Sequence, residues 1–303
     1  MADALTKDMR VYEPYPGLLA FYDGRVAGKR FAPGPNWVDD GALSLGIASY
    51  ALFSGEDALI YDTHVSVEHG RAILAILQAR GVRRWRVVLS HWHLDHVAGT
   101  TVFGDAEIIA NRRTFAHMTR HRSAIEDGSL HGAPAICPLV LPGTLYSGEM
   151  HLTIGDRHVT LIEANIHSDD ATVVWLPQER VLLAGDTVED CVTYVVEPEG
   201  FAQHLIDLDR LAALNPLAIL PCHGAPDVIA AGGYDPGFIA ATQGYIRWLQ
   251  RLQDEPDLAG TSMADVINPW LKPGVLHFFS AYDAVHRHNI AACLAMGKTQ
   301  TRA

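Results

Sequence analysis

Short apolar runs closed by turn residues recur along much of the chain and predict strands. Residues 44–53 and 58–62 are apolar-biased and are separated by Gly55, Glu56 and Asp57, which predicts a hairpin. A second hairpin is predicted over residues 148–161, with Gly155 and Asp156 at its turn. The same reasoning predicts further strands at residues 85–89, 107–110, 171–176 and 180–184.

Other segments carry apolar residues at helical spacing. Ile73, Leu74, Ile76 and Leu77 repeat in this way, so we expect a helix that Ser66 caps and that ends at Gly81. Residues 112–120 and 201–214 predict two more helices, the second of them amphipathic. Beyond residue 230 the pattern has no strands and predicts helices at residues 236–252, 262–270 and 278–296.

Two successive sets of strands with intervening helices favour an α/β fold in which two sheets pack together with helices outside. We expect a catalytic domain over residues 1–230. Residues 231–303 are expected to form a helical extension packed on the same domain, where it caps the core, forms an oligomer contact or lines a substrate pocket. Residues 123–146 are rich in proline and glycine, and they predict either a functional lid or a surface insertion.

Composition narrows the classes of function. The chain has 303 residues, of which 49% are hydrophobic, and this predicts a packed globule rather than disorder. A formal charge of −12 without a basic stripe argues against a nucleic-acid partner. We expect no membrane partner and no secretory signal in residues 1–15. The four cysteines are widely spaced without a C-x-x-C pattern, so a cytoplasmic chain with reduced thiols is expected.

The strongest chemical signal lies directly after the predicted strand at residues 85–89. His91, His93, Asp95 and His96 are four metal ligands within six residues. Imidazole and carboxylate are groups that zinc and similar ions prefer. One ion does not easily take all four from so short a loop, whereas two ions can share them.

Three more ligands stand where apolar runs end. His167, Asp186 and His223 each follow a strand-like segment. Rigid strands with functional residues in the loops at their ends are a common way to hold ligands in place. We therefore expect these three side chains to join the first four.

The order H-x-H-x-D-H, then His, then Gly-Asp-Thr, then His resembles the metallo-β-lactamase-fold hydrolase superfamily, with the glyoxalase-II-like and lactonase branch as the better match. The resemblance implies a four-layer αββα sandwich and two Zn²⁺ ions per chain, with iron or manganese also accepted by the ligand set. It implies that one ion is held by His91, His93 and His167, that the second is held by Asp95, His96 and His223, and that Asp186 bridges both. Asp62 ends the strand-like run at residues 58–62 and resembles the family's aspartate that orients a ligand. The alternative is a plain helix-entry residue near Ser66.

The resemblance also implies a reaction. A hydroxide shared by the two metals attacks a carboxylic ester, a lactone or a thioester, and Asp95 orients the hydroxide and passes its proton to the leaving group. A β-lactamase-type amide hydrolase or a phosphodiesterase on the same site is the alternative. A catalytically inactive binding module is the non-enzymatic alternative, although all seven ligands are present.

Residues that contact the small-molecule substrate are harder to predict. Tyr194 is a candidate oxyanion donor or a plain strand residue, and Trp92 either walls the site or packs under its loop. Asp169 and Asp170 follow His167, and we expect that either one of them supports a ligand residue by a hydrogen bond or that both are solvated. Histidines outside the seven ligands are expected to be structural or exposed. His286 and His288 are expected at the surface or as helix caps, with the alternative that one of them reaches the mouth of the pocket. A homo-oligomer is possible.

Overall fold

The computed structural model describes residues 5–300. The first four residues of the N-terminal segment, where no secretory signal is predicted, lie outside the described part. Two β-sheets form the centre of the fold. The first sheet has seven strands in sequential order, with these bounds: β1 (Arg10–Tyr15), β2 (Leu18–Asp23), β3 (Ile47–Ser54), β4 (Asp57–Tyr61), β5 (Arg84–Val88), β6 (Glu107–Asn111) and β7 (Thr144–Tyr146).

The first four strands of this sheet are antiparallel, and β4 to β7 are parallel. The second sheet has the order β12-β11-β10-β9-β8 and is antiparallel except for the β11–β12 pair. Its strands are β8 (Glu149–Ile154), β9 (Arg157–Ile166), β10 (Ser168–Leu176), β11 (Val181–Gly185) and β12 (Ala218–Pro221).

Eight α-helices cover the outer faces of the sheets in the described part of the chain. Their bounds are α1 (Val67–Ala79), α2 (Leu94–Val97), α3 (Arg112–Glu126), α4 (Phe201–Ala213), α5 (Pro226–Ala230), α6 (Gly237–Arg251), α7 (Met263–Ile267) and α8 (Asp283–Gln300). Among these residues, no helix has both the length and the apolar character needed to cross a bilayer.

Alternation of buried side chains along the strands produces four layers. In β2, Leu18 and Ala20 face the second sheet, while Leu19 and Phe21 face the helices α1 and α3. The outer face of the second sheet packs against α4, α6 and α8. The predicted αββα sandwich is therefore confirmed. The tail helices share one core with the second sheet, whereas the domain boundary at residue 230 stays a prediction.

Helix α7 ends at Ile267 and α8 begins at Asp283, so both are displaced from the predicted ranges 262–270 and 278–296. Two further segments also differ from their predicted structure. Helix α3 continues to Glu126, six residues past its expected end, because Ile125 is buried seven positions after Met118 on the same face. The irregular segment is correspondingly shorter, and β7 occupies its last three residues. The predicted strand from residue 44 begins only at Ile47, after a helical turn at Val38–Leu43. Gly46 separates the two with a φ of 78°.

Candidate metal centre

Strand ends and the loops that follow them bring the seven predicted ligands to one edge of the two sheets. His91 and His93 follow β5, and Asp95 and His96 lie on the short helix α2. His167 is the single residue between β9 and β10, where it has a φ of 68°. Asp186 and His223 follow β11 and β12, which pair side by side.

Two glycines allow this close assembly. Gly185 precedes Asp186 with a φ of 58°, and a Cβ atom there would lie 2.8 Å from the hydroxyl oxygen of Tyr61. Gly46 has a φ of 78°, and a Cβ atom there would lie 1.9 Å from the hydroxyl oxygen of Tyr22. Its carbonyl accepts a hydrogen bond from Nδ1 of His223 over 2.7 Å. Any side chain at these two positions would displace the loops that carry the ligands.

Three imidazoles converge on one point. Nδ1 of His93 lies 2.9 Å from Nε2 of His91 and 3.0 Å from Nε2 of His167. Nitrogens that share a tetrahedral zinc ion at about 2.0–2.1 Å lie about 3.3 Å apart, which is close to this spacing. The first predicted ligand group is therefore assembled.

The second group lies beside it. Oδ2 of Asp95 is 3.3 Å from Nε2 of His223 and 3.7 Å from Nε2 of His96. Between the two groups stands Asp186, whose Oδ2 lies 3.1–3.7 Å from Nε2 of four histidines. Of these four histidines, two belong to the first group (His91 and His167) and two to the second (His96 and His223). The Asp186 carboxylate therefore faces both groups.

The hydrogen bonds on the far side of the rings show that these atoms fit a cation. His96 donates from Nδ1 to Oδ2 of Asp62 over 2.8 Å, and His167 donates from Nδ1 to the Tyr194 carbonyl over 3.0 Å. In the neutral rings Nε2 then carries a lone pair that points inward. Oδ1 of Asp186 is buried without a hydrogen-bond partner. Lone pairs and a carboxylate that face each other in a buried space need positive charge between them.

The electrostatics agree with this reading. Burial, together with the neighbouring His167, lowers the pKa of His93 to about 3, so this ring is neutral and free to act as a ligand. Burial also disfavours a charge on His96 and His223, but the carboxylates of Asp186 and Asp95 outweigh it and raise both pKa values well above the ordinary value. The carboxylates therefore draw positive charge to these two rings, and either a second ring proton or a bound metal ion can supply it.

Asp62 and Asp170 fix the loop that carries His91 and His93 by accepting hydrogen bonds from its backbone. Besides its bond to His96, Asp62 accepts a hydrogen bond from the backbone NH of Ser90 over 2.7 Å. Asp170 is buried and accepts from the backbone NH of Trp92 over 3.0 Å. Asp169 instead pairs with His117 over 2.7 Å. Asp169 and Asp170 therefore both make specific contacts, and the contact of Asp170 is to the loop that carries His91 and His93.

A cavity of about 330 Å³ opens onto the assembled side chains. Trp92 and Tyr194, the two predicted substrate contacts, both line it, as do Asp95 and Asp186. The remaining wall is largely apolar, and of the described residues that line the cavity none is lysine or arginine. The other apolar lining residues are Trp37, Gly41, Ala42, Leu45, Leu94 and Val196.

Comparison with known proteins gives the family. The sequence model described as the metallo-beta-lactamase superfamily matches residues 44–223, which is more than half of the chain. The chain belongs to the metallo-β-lactamase superfamily. The matched segment runs from the residues before β3 to the last predicted ligand, His223.

Solved structures agree on the fold of this superfamily member. A metallo-beta-lactamase from Pontibacter korlensis aligns with a TM-score of 0.60 and 14% identity over 79% of this chain and 99% of that chain. The DIM-1 metallo-beta-lactamase exposed to ceftazidime aligns with a TM-score of 0.58 and 18% identity over 79% and 97%. At these identities the likeness establishes the architecture alone.

Two curated proteins match this chain over only part of their own length. The Beta-lactamase-like protein 2 homolog of Caenorhabditis elegans is 23% identical over 188 residues, or 59% of this chain and 56% of that protein. The Linear primary-alkylsulfatase of Pseudomonas sp. (strain ATCC 19151) is 22% identical over 211 residues, or 56% of this chain and 40% of that protein. The chain thus spans about half the length of the curated relatives it matches.

Several residues at the centre escape sequence reasoning. Glu189 is 2% exposed, lies 3.4 Å from Nδ1 of His167 and accepts from the backbone NH of Tyr194. Its position three residues past Asp186 was the available signal. His286, expected at the surface, is 3% exposed, because its Nδ1 is 2.9 Å from the Tyr245 hydroxyl. His288 stacks on the ring of Tyr194, which lines the cavity, with 4.5 Å between the ring centroids.

Proposed function

We propose that this superfamily member is a metal-dependent hydrolase that cleaves an uncharged carboxylic ester, lactone or thioester. It uses two divalent ions, and zinc is the proposed metal. The observation that carries the proposal is the joint geometry of the site. Seven donor side chains converge with inward lone pairs, and the cavity above them is apolar and lined by no lysine or arginine among the described residues.

Each donor has a place in this proposal. His91, His93 and His167 hold one ion, Asp95, His96 and His223 hold the other, and Asp186 faces both. Ions bound there lower the pKa of a water molecule and polarise a substrate carbonyl. Asp62 keeps the proton of His96 on Nδ1, so that Nε2 stays free.

Asp95 is the proposed catalytic residue. Its side chain is 19% exposed and lines the cavity, whereas Asp186 is 5% exposed. A carboxylate at this border reaches both the centre and a substrate above it. It holds the proton released by the attacking water and passes it to the leaving alkoxide or thiolate.

Tyr194 and Trp92 are the proposed substrate contacts. Burial raises the pKa of the Tyr194 hydroxyl, and nearby Glu189 acts in the same direction. The hydroxyl is therefore protonated at neutral pH and is a donor for a developing oxyanion. The Trp92 ring supplies part of the apolar wall, and its backbone is held by Asp170.

The charge of the cavity separates the substrate classes. Sulfate esters and phosphodiesters carry negative charge, and sites for such groups typically offer arginine or lysine. The similarity to the alkylsulfatase keeps anionic esters as an alternative substrate class. Membership of the superfamily keeps β-lactam amides as another alternative. An inactive binding module is disfavoured because all seven donors are present and converge.

The test is a substrate panel on zinc-loaded protein: lactones, thioesters, aryl esters, phosphodiesters, alkyl sulfates and β-lactams, with metal analysis of the same sample. We expect close to two ions per chain and the highest kcat/KM on an uncharged acyl compound. Leu45→Arg places a cation on the cavity wall and should shift preference towards anionic substrates, whereas Leu45→Met should not. The highest kcat/KM on an anionic ester would contradict the assigned class.

A further inference from the structure

The C-terminal helix α8 reaches the polypeptide that follows Asp186. Asn289 on this helix is 0% exposed. Its Oδ1 accepts a hydrogen bond from the backbone NH of Val195 over 2.9 Å, and its Nδ2 donates to the backbone carbonyl of Thr193 over 2.9 Å. These two backbone groups lie on either side of Tyr194, so the amide grips this residue from both directions.

Tyr194 is in turn bound to the metal centre through its own backbone. Its carbonyl accepts from Nδ1 of His167 over 3.0 Å, and its NH donates to Oε1 of Glu189 over 2.8 Å. Because the carbonyl only accepts, Nδ1 of His167 carries a proton, and Nε2 faces His93. The position of the Tyr194 carbonyl therefore sets the direction of a ligand nitrogen.

The orientation of the Asn289 amide is unambiguous. A backbone NH only donates and a carbonyl only accepts, so Oδ1 must face Val195 and Nδ2 must face Thr193. The second hydrogen on Nδ2 is directed to the hydroxyl oxygen of Tyr245 on α6, 3.2 Å away. Every hydrogen of this buried amide has a partner, and removing it would leave two backbone groups unsatisfied beside the centre.

We propose that Asn289 is a positioning residue for the metal centre: through the backbone of Tyr194 it orients His167. The inference rests on the proposed metal-dependent function, since His167 must be a ligand. It gives the C-terminal extension a defined role, because α8 then belongs to the support of the centre and does more than cover the second sheet. The His288 ring, stacked on Tyr194, adds a second contact from the same helix.

A purely structural role for α8 is the rival explanation, and the neighbouring residue provides a matched control. Ile290 is 8% exposed, lies in the same core and forms no hydrogen bond with its side chain. Asn289→Ala and Ile290→Ala should both lower the thermal midpoint. Only the first removes the hydrogen bonds to residues 193 and 195.

The readouts are metal binding and the ligand field, neither of which needs a substrate. The apparent Kd for Zn²⁺ is measured by chelator competition on the full chain, and the visible absorption spectrum is recorded with Co²⁺. We expect Asn289→Ala to weaken zinc binding about tenfold, as loss of groups that support a ligand does, and to alter the cobalt spectrum. Ile290→Ala should keep the wild-type Kd and spectrum.

Wild-type binding and spectrum in Asn289→Ala, or equal changes in both variants, would overturn the inference. If Asn289→Ala does not fold, Tyr245→Phe replaces it, since it removes the hydroxyl that accepts from the amide. That hydroxyl also contacts Nδ1 of His286, so His286→Ala, which removes this second contact and leaves the hydroxyl in place, is the control and should keep the wild-type Kd. For Tyr245→Phe a smaller loss of affinity in the same direction is expected, and an unchanged Kd would overturn the inference. Normal metal binding without turnover on any acyl substrate would instead contradict the proposed function and leave this inference standing.

Discussion

Two clusters of buried histidines in the described part of the chain differ in how their carboxylates are paired. In the metal centre, the nitrogens of His91, His93 and His167 face each other. In the second cluster, which we call the Asp23 cluster (Asp23, Lys29, His64 and His69), each charge has a protein partner. His69 contacts the Ser66 hydroxyl over 2.9 Å and Asp23 over 3.0 Å. Lys29 completes the pairing with Asp23 over 2.8 Å.

The two clusters share residue types and burial, so these properties do not mark a metal centre. What separates them is whether the carboxylate has a cation supplied by the chain. Asp23 has Lys29, whereas Asp186 has an Oδ1 without a hydrogen-bond partner and four imidazoles around its Oδ2. The Asp23 cluster also contains one buried nitrogen without a hydrogen-bond partner, Nε2 of His64. In a chain with 16 histidines, several lone pairs that converge on one point are therefore a better guide to a metal site than the number of histidines.

Removing metal should give the largest difference between the clusters. Chelation and dialysis should lower turnover on an acyl substrate by on the order of 10³-fold or more, because metal ions contribute several kcal/mol to such reactions. Added zinc should restore it. The measurement is turnover against bound metal in the wild type and in Asp23→Ala, which should respond alike. Full turnover after exhaustive chelation would refute the metal centre.

Asp95→Ala should have the next largest effect. Loss of the proposed proton carrier should lower kcat by roughly 10²–10⁴-fold, while circular dichroism reports an intact fold. Asp105 is an exposed aspartate ten residues further along, and Asp105→Ala is the matched control with wild-type kcat expected. Near-normal turnover in the Asp95 variant would remove its catalytic assignment.

Asp23→Ala should affect stability instead of chemistry. The change leaves Lys29 and His69 without their buried partner, which costs about 3–5 kcal/mol of unfolding free energy. Urea denaturation measures this loss, and zinc affinity and kcat of the folded variant should equal those of the wild type. A fall in zinc affinity comparable to that of a ligand variant would show that the two clusters are not independent.

The smallest effect expected is a dependence of this stability difference on pH. Burial raises the pKa of Asp23, but bonds from His69 and Lys29 outweigh it and leave the folded pKa below the ordinary value. The ionised carboxylate therefore stabilises the fold above the unfolded pKa of about 3.9, and this contribution is lost as pH falls through the folded pKa. Urea curves of the wild type and Asp23→Ala should accordingly converge as pH falls below about 4. A constant difference would contradict the ionised pairing.

Much of the fold and of the candidate metal centre could be predicted from local sequence. The cap at Ser66 and the spacing of Ile73 and Leu77 suffice for α1, since a helix depends on residues three or four apart. The ligand run from His91 to His96 was visible because metal chemistry restricts which residues stand together. The resemblance and the end of a strand-like run together singled out Asp62, whose Oδ2 lies 2.8 Å from Nδ1 of His96.

Tertiary structure decided the rest. Asn289 carries no local pattern that marks it, and its role comes from contacts with Thr193 and Val195 that α8 makes across some 90 positions. Glu189 has only its place three residues past Asp186 as a local signal, and its contacts with His167 and Tyr194 exist only in the folded chain. The apolar cavity combines Trp37, Leu45 and Val196 from separate loops. Periodicity reports which face of an element is buried, but the partner of that face is chosen by packing, and packing joins residues that are remote along the chain.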